Sequence, residues 1–278
     1  MAGSKGLRRS FEGESVMSST QLNRQGIDIC PPEADLVSAV SQEIGKYRLR
    51  LAMNAADAES LYRLRFEVFN LELEEGLEAS YQTGLDQDAH DQFCHHLLVE
   101  HLESGDVVGT YRLQDGRMAN QGPGFYSQAE FDLTLLGEEL LGQSVELGRA
   151  CIAREHRNTR VLFLLWRGLA AYMNATGNRY FFGCCSLTST DPAEGHALYD
   201  VLVSKGHIDR EKRVTVQSEY ACPPAGAGRP DVRIPKLMRL YLGYGATIVS
   251  GPAMDHEFRT IDYLALFDME ALSDEHKR

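Results

Sequence analysis

The periodicity of hydrophobic and polar positions divides the chain into strand-like and helix-like segments. Apolar residues at every second position predict strands, whereas apolar residues three and four apart predict helices. The strand-like segments cover residues 47–53, 94–114, 144–152, 179–187, 246–249 and 260–268, and the helix-like segments cover residues 54–75, 160–175, 191–205 and 235–243. Strands that alternate with helices, with a hairpin over residues 94–114, predict an α/β fold with a mixed central sheet flanked by helices.

The run from Ser144 to Ser186 contains a strand, a basic turn, a helix and a second strand without interruption. Its first strand carries Glu146 and Arg149, which are three residues apart and lie on opposite faces unless a bulge intervenes. Several arginines precede the helix, where backbone N–H groups and guanidinium groups can bind a phosphate together. This order of elements can build an acyl-thioester site.

Residues 1–43 are rich in Ser, Gly, Gln and charged residues and show no sustained periodicity. We therefore expect a flexible N-terminal extension over residues 1–43 and a single domain over residues 44–278. The N-terminus lacks the apolar core of a secretory signal, and the longest apolar stretch, Val161 to Met173, is short and contains Arg167. No segment is predicted to cross a membrane.

The composition narrows the classes of partner. The 278 residues include 40 acidic and 28 basic side chains, which gives a formal net charge of −12. General nucleic-acid binding needs a cationic surface, so an anionic partner requires a local basic patch instead. The six cysteines show no CxxC spacing, which predicts reduced thiols and a cytoplasmic protein. The nucleotide-binding patterns GxGxxG and GxxxxGK are absent from the sequence.

Clustered acidic and histidine residues suggest a metal site at first sight. The spacing of Asp86, Asp88 and Asp91 does not fit an EF-hand loop, and the neighbours His95 and His96 point to opposite faces of a strand. No metal is therefore predicted. Each of the aspartates is interpreted either as a receiver of a substrate's side-chain ammonium or as part of a solvated acidic loop.

Three blocks of sequence carry a resemblance to a known family. They are residues 62–76 (YRLRFEVFNLELEEG), residues 94–113 (CHHLLVEHLESGDVVGTYRL) and residues 145–172 (VELGRACIAREHRNTRVLFLLWRGLAAY). In this order they resemble the acyl-carrier-protein-dependent N-acyltransferases of the GNAT superfamily, among them the ornithine-acylating enzymes of ornithine-lipid synthesis and the long-chain N-acyl amino acid synthases. Further similar segments extend the resemblance over roughly residues 46–268.

The resemblance implies a GNAT-like fold and a reaction. The reaction moves a 3-hydroxy fatty acyl group from acyl carrier protein to the α-amine of an amino acid, foremost L-ornithine, and gives lyso-ornithine lipid. No permanently bound cofactor is implied, because the acyl donor is the phosphopantetheine thioester of acyl carrier protein, or acyl-CoA. Since the product partitions into lipid, peripheral association with the inner membrane is an alternative to a purely cytoplasmic location.

A more distant similarity to acyl-homoserine-lactone synthases suggests roles for individual residues. It implies that Glu146 and Arg149 are catalytic, with Glu146 as the base that deprotonates the amine, directly or through water. The residues predicted to bind the substrate are Arg65, Phe69, Asp86, Asp88 and Arg112. These synthases have a Trp soon after the Phe, but the only Trp here is Trp166, which favours amide formation over lactone formation.

Two of these residues have a structural alternative. Glu146 is interpreted either as the base or as one half of a buried ion pair with Arg149 or Arg112. Arg65 lies within an apolar stripe, which indicates a paired inward charge or a side chain that extends to the surface.

Arg154, Arg157 and Arg160 are predicted to bind acyl carrier protein or its phosphopantetheine, with ordinary surface charge as the alternative. The resemblance implies a comparison with GNAT enzymes that use coenzyme A, which usually bind its pyrophosphate with a glycine-rich turn. The corresponding turn here, REHRNT over residues 154–159, contains no glycine. A turn without those glycines suits the single phosphate of a pantetheine arm.

Other functions remain open at the level of sequence. One is a different acyltransferase, either an N-acyl synthase for another amino acid or an acyl-homoserine-lactone synthase. The other is a non-catalytic module that binds acyl thioesters.

Overall fold

The computed structural model describes residues 27–226 and 230–271, and within them the strands form one nine-stranded sheet. The strand order is β1-β2-β3-β4-β5-β6-β9-β7, and β8 pairs with the free part of β9. The strands are β1 Gln42–Ile44, β2 Tyr47–Leu51, β3 His95–His101, β4 Val107–Asp115, β5 Ser144–Ile152, β6 Tyr180–Leu187, β7 Thr247–Ile248, β8 Ala253–Asp255 and β9 Thr260–Asp268. The expected α/β fold with a mixed sheet is confirmed.

Helices cover both faces of this sheet. They are α1 Ala34–Val40, α2 Ala55–Phe66, α3 Ser80–Thr83, α4 Gly116–Gln121, α5 Glu138–Gly142, α6 Thr159–Thr176, α7 Pro192–Ser204 and α8 Lys236–Gly243. The side chains of Asn54, Asn158 and Asp191 accept backbone N–H groups at the starts of α2, α6 and α7, which explains where these helices begin. A wide π-helical turn, Glu67–Glu72, extends α2.

The adjacent histidines of β3 identify the two helical layers. His95 hydrogen-bonds the Tyr172 hydroxyl of α6 at 3.0 Å, whereas His96 meets the ring of Tyr62 in α2 edge-on at 5.8 Å. The prediction that these two side chains point to opposite faces is confirmed. The core on the α6 side is formed by residues such as Leu49, Leu97 and Leu165, which are fully or almost fully buried.

The two middle strands, β5 and β6, are parallel and pair only over their first residues. The pairs run from Ser144 with Tyr180 to Glu146 with Phe182, although both strands continue beyond them. At Gly183 the backbones are still so close that a Cβ atom would collide with the carbonyl oxygen of Leu147. Beyond that point the strands separate, and the sheet is split open.

A β-bulge lies on the other edge of β5, where it pairs with β4. The register passes from Thr110 opposite Cys151 to Arg112 opposite Gly148, so one residue of β4 faces two of β5. Arg149 lies in this bulge and has a φ of 50°. This left-handed backbone conformation is unusual for any residue other than glycine. The sequence pattern alone did not decide whether a bulge lies between Glu146 and Arg149, and the structure shows that it does.

The expected extension over residues 1–43 falls only partly on the described chain, because residues 1–26 lie outside it. Residues 34–44 form α1, which packs against α6, and β1, which pairs with β2. The folded part of the chain thus begins before residue 44. None of the described helices has the length and apolar character needed to cross a membrane.

Candidate active site

The separation of β5 from β6 opens a cavity of about 240 Å³. Four of the residues predicted from sequence line it: Phe69, Arg112, Glu146 and Arg149. Glu146 and Arg149 reach the same cavity because the bulge interrupts the alternation of β5. Its polar lining also includes Tyr126, Cys184, Asp255, Asp262, Glu75 and Ser186.

Arg65, in α2, is completely buried and paired twice. Its Nε donates to Oδ1 of Asp86 at 2.7 Å, and its Nη1 and Nη2 donate to the two oxygens of Asp91 at 2.8 and 3.1 Å. All three side chains are fully shielded from solvent. The prediction of a paired inward charge is confirmed for Arg65, and a solvated acidic loop is excluded for Asp86 and Asp91.

Asp88 binds the two arginines that line the cavity, Arg112 and Arg149. One of its oxygens, Oδ2, accepts from Nη1 of Arg112 at 2.6 Å and from Nη2 of Arg149 at 2.9 Å. Burial alone would raise the pKa of Asp91, but the charges of Arg65 and Arg112 lower it to about 2. The three arginines and three aspartates of this cluster are equal in number, so their formal charges balance.

This pairing decides what the aspartates can do. Asp86 and Asp88 do not line the cavity, and both already neutralise guanidinium groups. They hold Arg112 and Arg149 at the cavity wall. The geometry favours this positioning role over the alternative that either aspartate receives a substrate ammonium.

Glu146 is 5% exposed and accepts two backbone hydrogen bonds. Its Oε2 accepts from the N–H of Tyr126 at 2.7 Å, and its Oε1 accepts from the N–H of Ser127 at 2.8 Å. No arginine lies within 4.0 Å of it among the residues that the structure describes, so the buried ion pair considered from sequence is not formed there. Each oxygen keeps a lone pair, and the carboxylate borders the cavity.

Tyr126 is a site residue that sequence reasoning missed. The guanidinium groups of Arg112 and Arg149 both lie 5.1 Å from the centre of its ring, and Arg149 also lies 4.3 Å from the ring of Phe258. Cation–π contacts of this kind hold a guanidinium group in place from the side that hydrogen bonds leave open. Residues 115–143 have only weak periodicity, so no pattern marked Tyr126 in advance.

The predicted carrier-binding arginines lie outside the cavity, at the start of α6. Arg157 binds both oxygens of Glu72, at 2.6 and 2.7 Å, and its Nε donates to the carbonyl of Ile152 at 3.0 Å. Arg154 lies 3.5 Å from the same glutamate. Arg160 is exposed and forms no ion pair with the described residues. The structure therefore brings Arg154 and Arg157 together at Glu72 and leaves Arg160 apart.

The buried side chains of Glu130 and Asp262 and the half-buried Cys184 have ligand atoms within 4.8 Å of one another, close enough to hold a metal ion or another cation. Burial and the nearby Asp262 raise the pKa of Glu130 to about 10, and burial and Asp255 raise that of Asp262 to about 7. No local sequence pattern connects these residues, because they come from three separate segments.

A second, smaller pocket of about 50 Å³ opens from the same split in the sheet. Its lining is apolar and includes Leu147, Trp166, Phe182 and Leu266. Such a surface accepts a hydrocarbon chain by removing apolar area from water.

Comparisons with known proteins place the chain in a family. Residues 64–167 match the acetyltransferase (GNAT) domain family. The chain is 32% identical to an L-ornithine N(alpha)-acyltransferase of Agrobacterium fabrum over 83% of each chain, and 32% identical to that of Brucella abortus over 83% of this chain and 87% of the relative. The fold resembles that of FeeM, an N-acyl amino acid synthase from uncultured soil microbes, with a TM-score of 0.50, 11% identity, and coverage of 82% and 95%. The chain belongs to the family of L-ornithine N(alpha)-acyltransferases.

Proposed function

We propose that this protein transfers a 3-hydroxy fatty acyl group from a thioester to the α-amine of L-ornithine and forms lyso-ornithine lipid. The observation that carries the proposal is the cavity between β5 and β6, where a buried carboxylate, two positioned arginines and an adjoining apolar pocket meet. The relatives at about one third identity supply the choice of ornithine.

In this proposal the acyl thioester lies between the separated strands. The fatty chain enters the apolar pocket beside Trp166 and Phe182, and the thioester carbonyl approaches the edge of β5. Backbone N–H groups near Gly148 to Ile152 that point toward the gap are the candidate donors to the oxyanion, because no strand pairs with that edge beyond Glu146.

Glu146 acts as the general base. The neutral α-amine attacks the carbonyl carbon, and one of its protons passes to the carboxylate, directly or through one water, as the bond forms. The new C–N bond forms, the C–S bond breaks, and the proton leaves with the pantetheine thiol. No covalent bond to the protein is needed. The hydrogen bonds from Tyr126 and Ser127 fix the carboxylate where the amine arrives.

Arg149 and Arg112 bind the carboxylate of the amino acid. The Nη2 atom of Arg149 is committed to Asp88, but its Nη1 makes no hydrogen bond with the described residues and remains available as a donor. Guanidinium groups bind carboxylates with directed, charge-assisted hydrogen bonds. Phe69 lines the same cavity.

Acyl carrier protein is the proposed donor, bound at Arg154, Arg157 and Arg160. These arginines flank the N-terminus of α6, which begins at Thr159, and a helix N-terminus attracts a phosphate. The chain as a whole carries a charge of −12, so an acidic carrier needs such a local basic surface.

We also infer contact with a membrane surface from the cytoplasmic side. The product carries a fatty chain, and Phe163 and Leu237 are apolar side chains that are 55% and 40% exposed. All six cysteines are free thiols, in accord with a reducing compartment. Co-sedimentation with anionic phospholipid vesicles tests the contact: binding supports it, and an unbound protein contradicts it.

The experiment that tests the reaction offers purified protein 3-hydroxyacyl carrier protein and a mixture of amino acids. Release of free thiol and a product mass of hydroxyacyl-ornithine are expected. Thiol release with another acyl-amino acid would retain the mechanism and change the acceptor. Binding of the acyl carrier without thiol release from any amine would contradict the proposal and favour a binding module.

A further inference from the structure

Part of the cavity wall is acidic and has no cationic partner. Asp255, Asp262 and Glu75 line the cavity, and Glu130 contacts the thiol of Cys184, which lines it too. Glu130, Asp262 and Asp255 are only 2%, 4% and 6% exposed. Within residues 27–226 and 230–271, no Lys or Arg comes within 4.0 Å of any of these carboxylates.

Two buried acceptors in this group have no hydrogen-bond partner, Oε1 of Glu75 and Oε2 of Glu130. Oε1 of Glu130 accepts from Sγ of Cys184 at 3.6 Å, but Oε2 is buried and accepts no hydrogen bond. Asp262 accepts from the hydroxyl of Thr260 at 3.0 Å, and Asp255 accepts from the backbone N–H of Glu257 at 2.8 Å. An unpaired buried carboxylate oxygen is costly, and its retention indicates that a donor arrives with a ligand.

The strand register brings these groups to one face. Cys184 and Asp262 lie on paired strands, where Cys184 is opposite Leu264 and Ser186 is opposite Asp262, so both side chains point to the same side of the sheet. Glu130 reaches that side from the end of a short 3₁₀ helix over Tyr126–Ala129. The same helix is fixed by Glu146 at its other end, which ties the acidic group to the proposed base.

We propose that Glu130 and Asp262 bind the side-chain ammonium of the acceptor amino acid. The inference rests on the proposed function, because it assigns the second nitrogen of ornithine to a place in the same cavity. A primary ammonium offers three N–H donors and a positive charge, which suit two carboxylates with a vacant oxygen. Asp86 and Asp88, considered for this role from sequence, are already bound to arginines.

The energetic cost of burying these carboxylates in their charged form supports the assignment. Burial and neighbouring carboxylates raise the pKa values of Glu130 and Asp262 in the empty cavity. A bound ammonium removes that repulsion, so the acidic group favours a diamino acid over an amino acid of the same length with an apolar side chain. The structure thereby supplies a basis for selecting the acceptor.

The test compares L-ornithine with L-norvaline, which has the same carbon chain but no side-chain amine. For the wild type, we expect kcat/KM to favour ornithine by about 100-fold or more, and Asp262→Asn or Glu130→Gln to lower that ratio by about tenfold or more. The matched control is Glu257→Gln, which removes an exposed charge nearby and is expected to keep the wild-type ratio. An unchanged ratio in both cluster variants overturns the inference.

A binding measurement separates this inference from the proposed function. Without any acyl donor, ornithine is expected to raise the melting temperature of the wild type, norvaline is not, and Asp262→Asn is expected to abolish the ornithine effect. If the wild type acylates neither amino acid, the proposed function is wrong, and the melting shift still decides the inference. Equal shifts with ornithine and norvaline overturn it.

A divalent metal ion is the competing ligand, because Glu130, Cys184 and Asp262 offer three suitable atoms. The ornithine shift is therefore repeated with EDTA and with added Zn²⁺. A shift that survives EDTA supports the ammonium site. A large Zn²⁺ shift that Asp262→Asn removes, together with no response to ornithine, overturns the inference and assigns a metal site.

Discussion

Glu146 accepts the backbone N–H of Tyr126 at 2.7 Å, and this bond joins the two walls of the cavity. The ring of Tyr126 lies against the guanidinium groups of Arg112 and Arg149, so the proposed base and the proposed carboxylate-binding groups share one support. The position of Glu146 therefore depends on the 3₁₀ turn as much as on its own strand.

Glu146→Gln is expected to lower kcat by about 100-fold or more, because an amide cannot take the proton of the amine. The KM for ornithine should change much less. A modest loss of stability is also expected, since the amide NH₂ group meets one of the two backbone N–H donors.

Steady-state kinetics and thermal unfolding check this prediction. The control is Glu139→Gln in α5, an exposed glutamate that is expected to retain wild-type kcat. A Glu146→Gln protein with wild-type kcat at neutral pH removes Glu146 as the base.

Arg65→Met is expected to destabilise the fold by about 3–5 kcal/mol, because it leaves Asp86 and Asp91 buried without their counter-charge. Arg63→Met, two residues away on the same helix, breaks only an exposed pair with Glu59 and should cost less than about 1 kcal/mol. Urea unfolding measures both. Equal losses in the two variants would show that the buried cluster does not stabilise the protein.

The stability difference between Asp262→Asn and the wild type is expected to depend on pH. The folded-state pKa of Asp262, about 7, exceeds its unfolded value, so the folded wild type keeps a proton that the unfolded chain releases. The wild type consequently loses stability as pH rises from about 4 to about 7, by about 1.4 kcal/mol per unit for one proton. The Asn side chain of the Asp262→Asn variant cannot ionise, so this variant does not lose stability over the same pH range for this reason.

Urea unfolding of the ligand-free proteins at pH 5 and pH 8 checks the sign. The free energy of unfolding of Asp262→Asn, relative to that of the wild type, should be higher at pH 8 than at pH 5. The relative free energy of unfolding of Glu257→Gln should not change between these pH values. The opposite trend would mean that Asp262 is ionised and stabilised in the empty cavity.

Arg157→Glu is expected to raise the KM for acyl carrier protein about tenfold and to weaken the salt dependence of that KM, since it reverses a charge at the proposed docking surface. It also replaces the pairing with Glu72 by repulsion. The control is Arg63→Glu, which changes the same charge away from α6. Identical KM values in the two variants contradict the docking surface.

Much of the fold is predictable from sequence because local signals agree. Capping residues such as Asn54 and Asp191 mark helix starts, and alternation marks long strands such as Thr260–Asp268, which the structure reproduces. Short elements such as β1 and β8 were missed because three residues carry too little periodicity.

Contacts between distant segments set the rest of the site. The pairing of Arg65 with Asp91 spans 26 residues, and the meeting of Glu130 with Cys184 spans 54. No local pattern encodes such distances, although the apolar surroundings of Arg65 did indicate an inward charge. The bulge at Arg149 depends on the register between two strands, which a single strand's sequence does not fix.

The most direct test of the central claim uses ornithine labelled with ¹⁵N only at the α-amine. The purified protein is supplied with 3-hydroxyacyl carrier protein, and the lipid product is fragmented in a mass spectrometer. We predict that the amide nitrogen carries the label in every product molecule and that Glu146→Gln makes far less of it. An unlabelled amide, which would place the acyl group on the side-chain nitrogen, or no acyl-ornithine at all, would contradict the account.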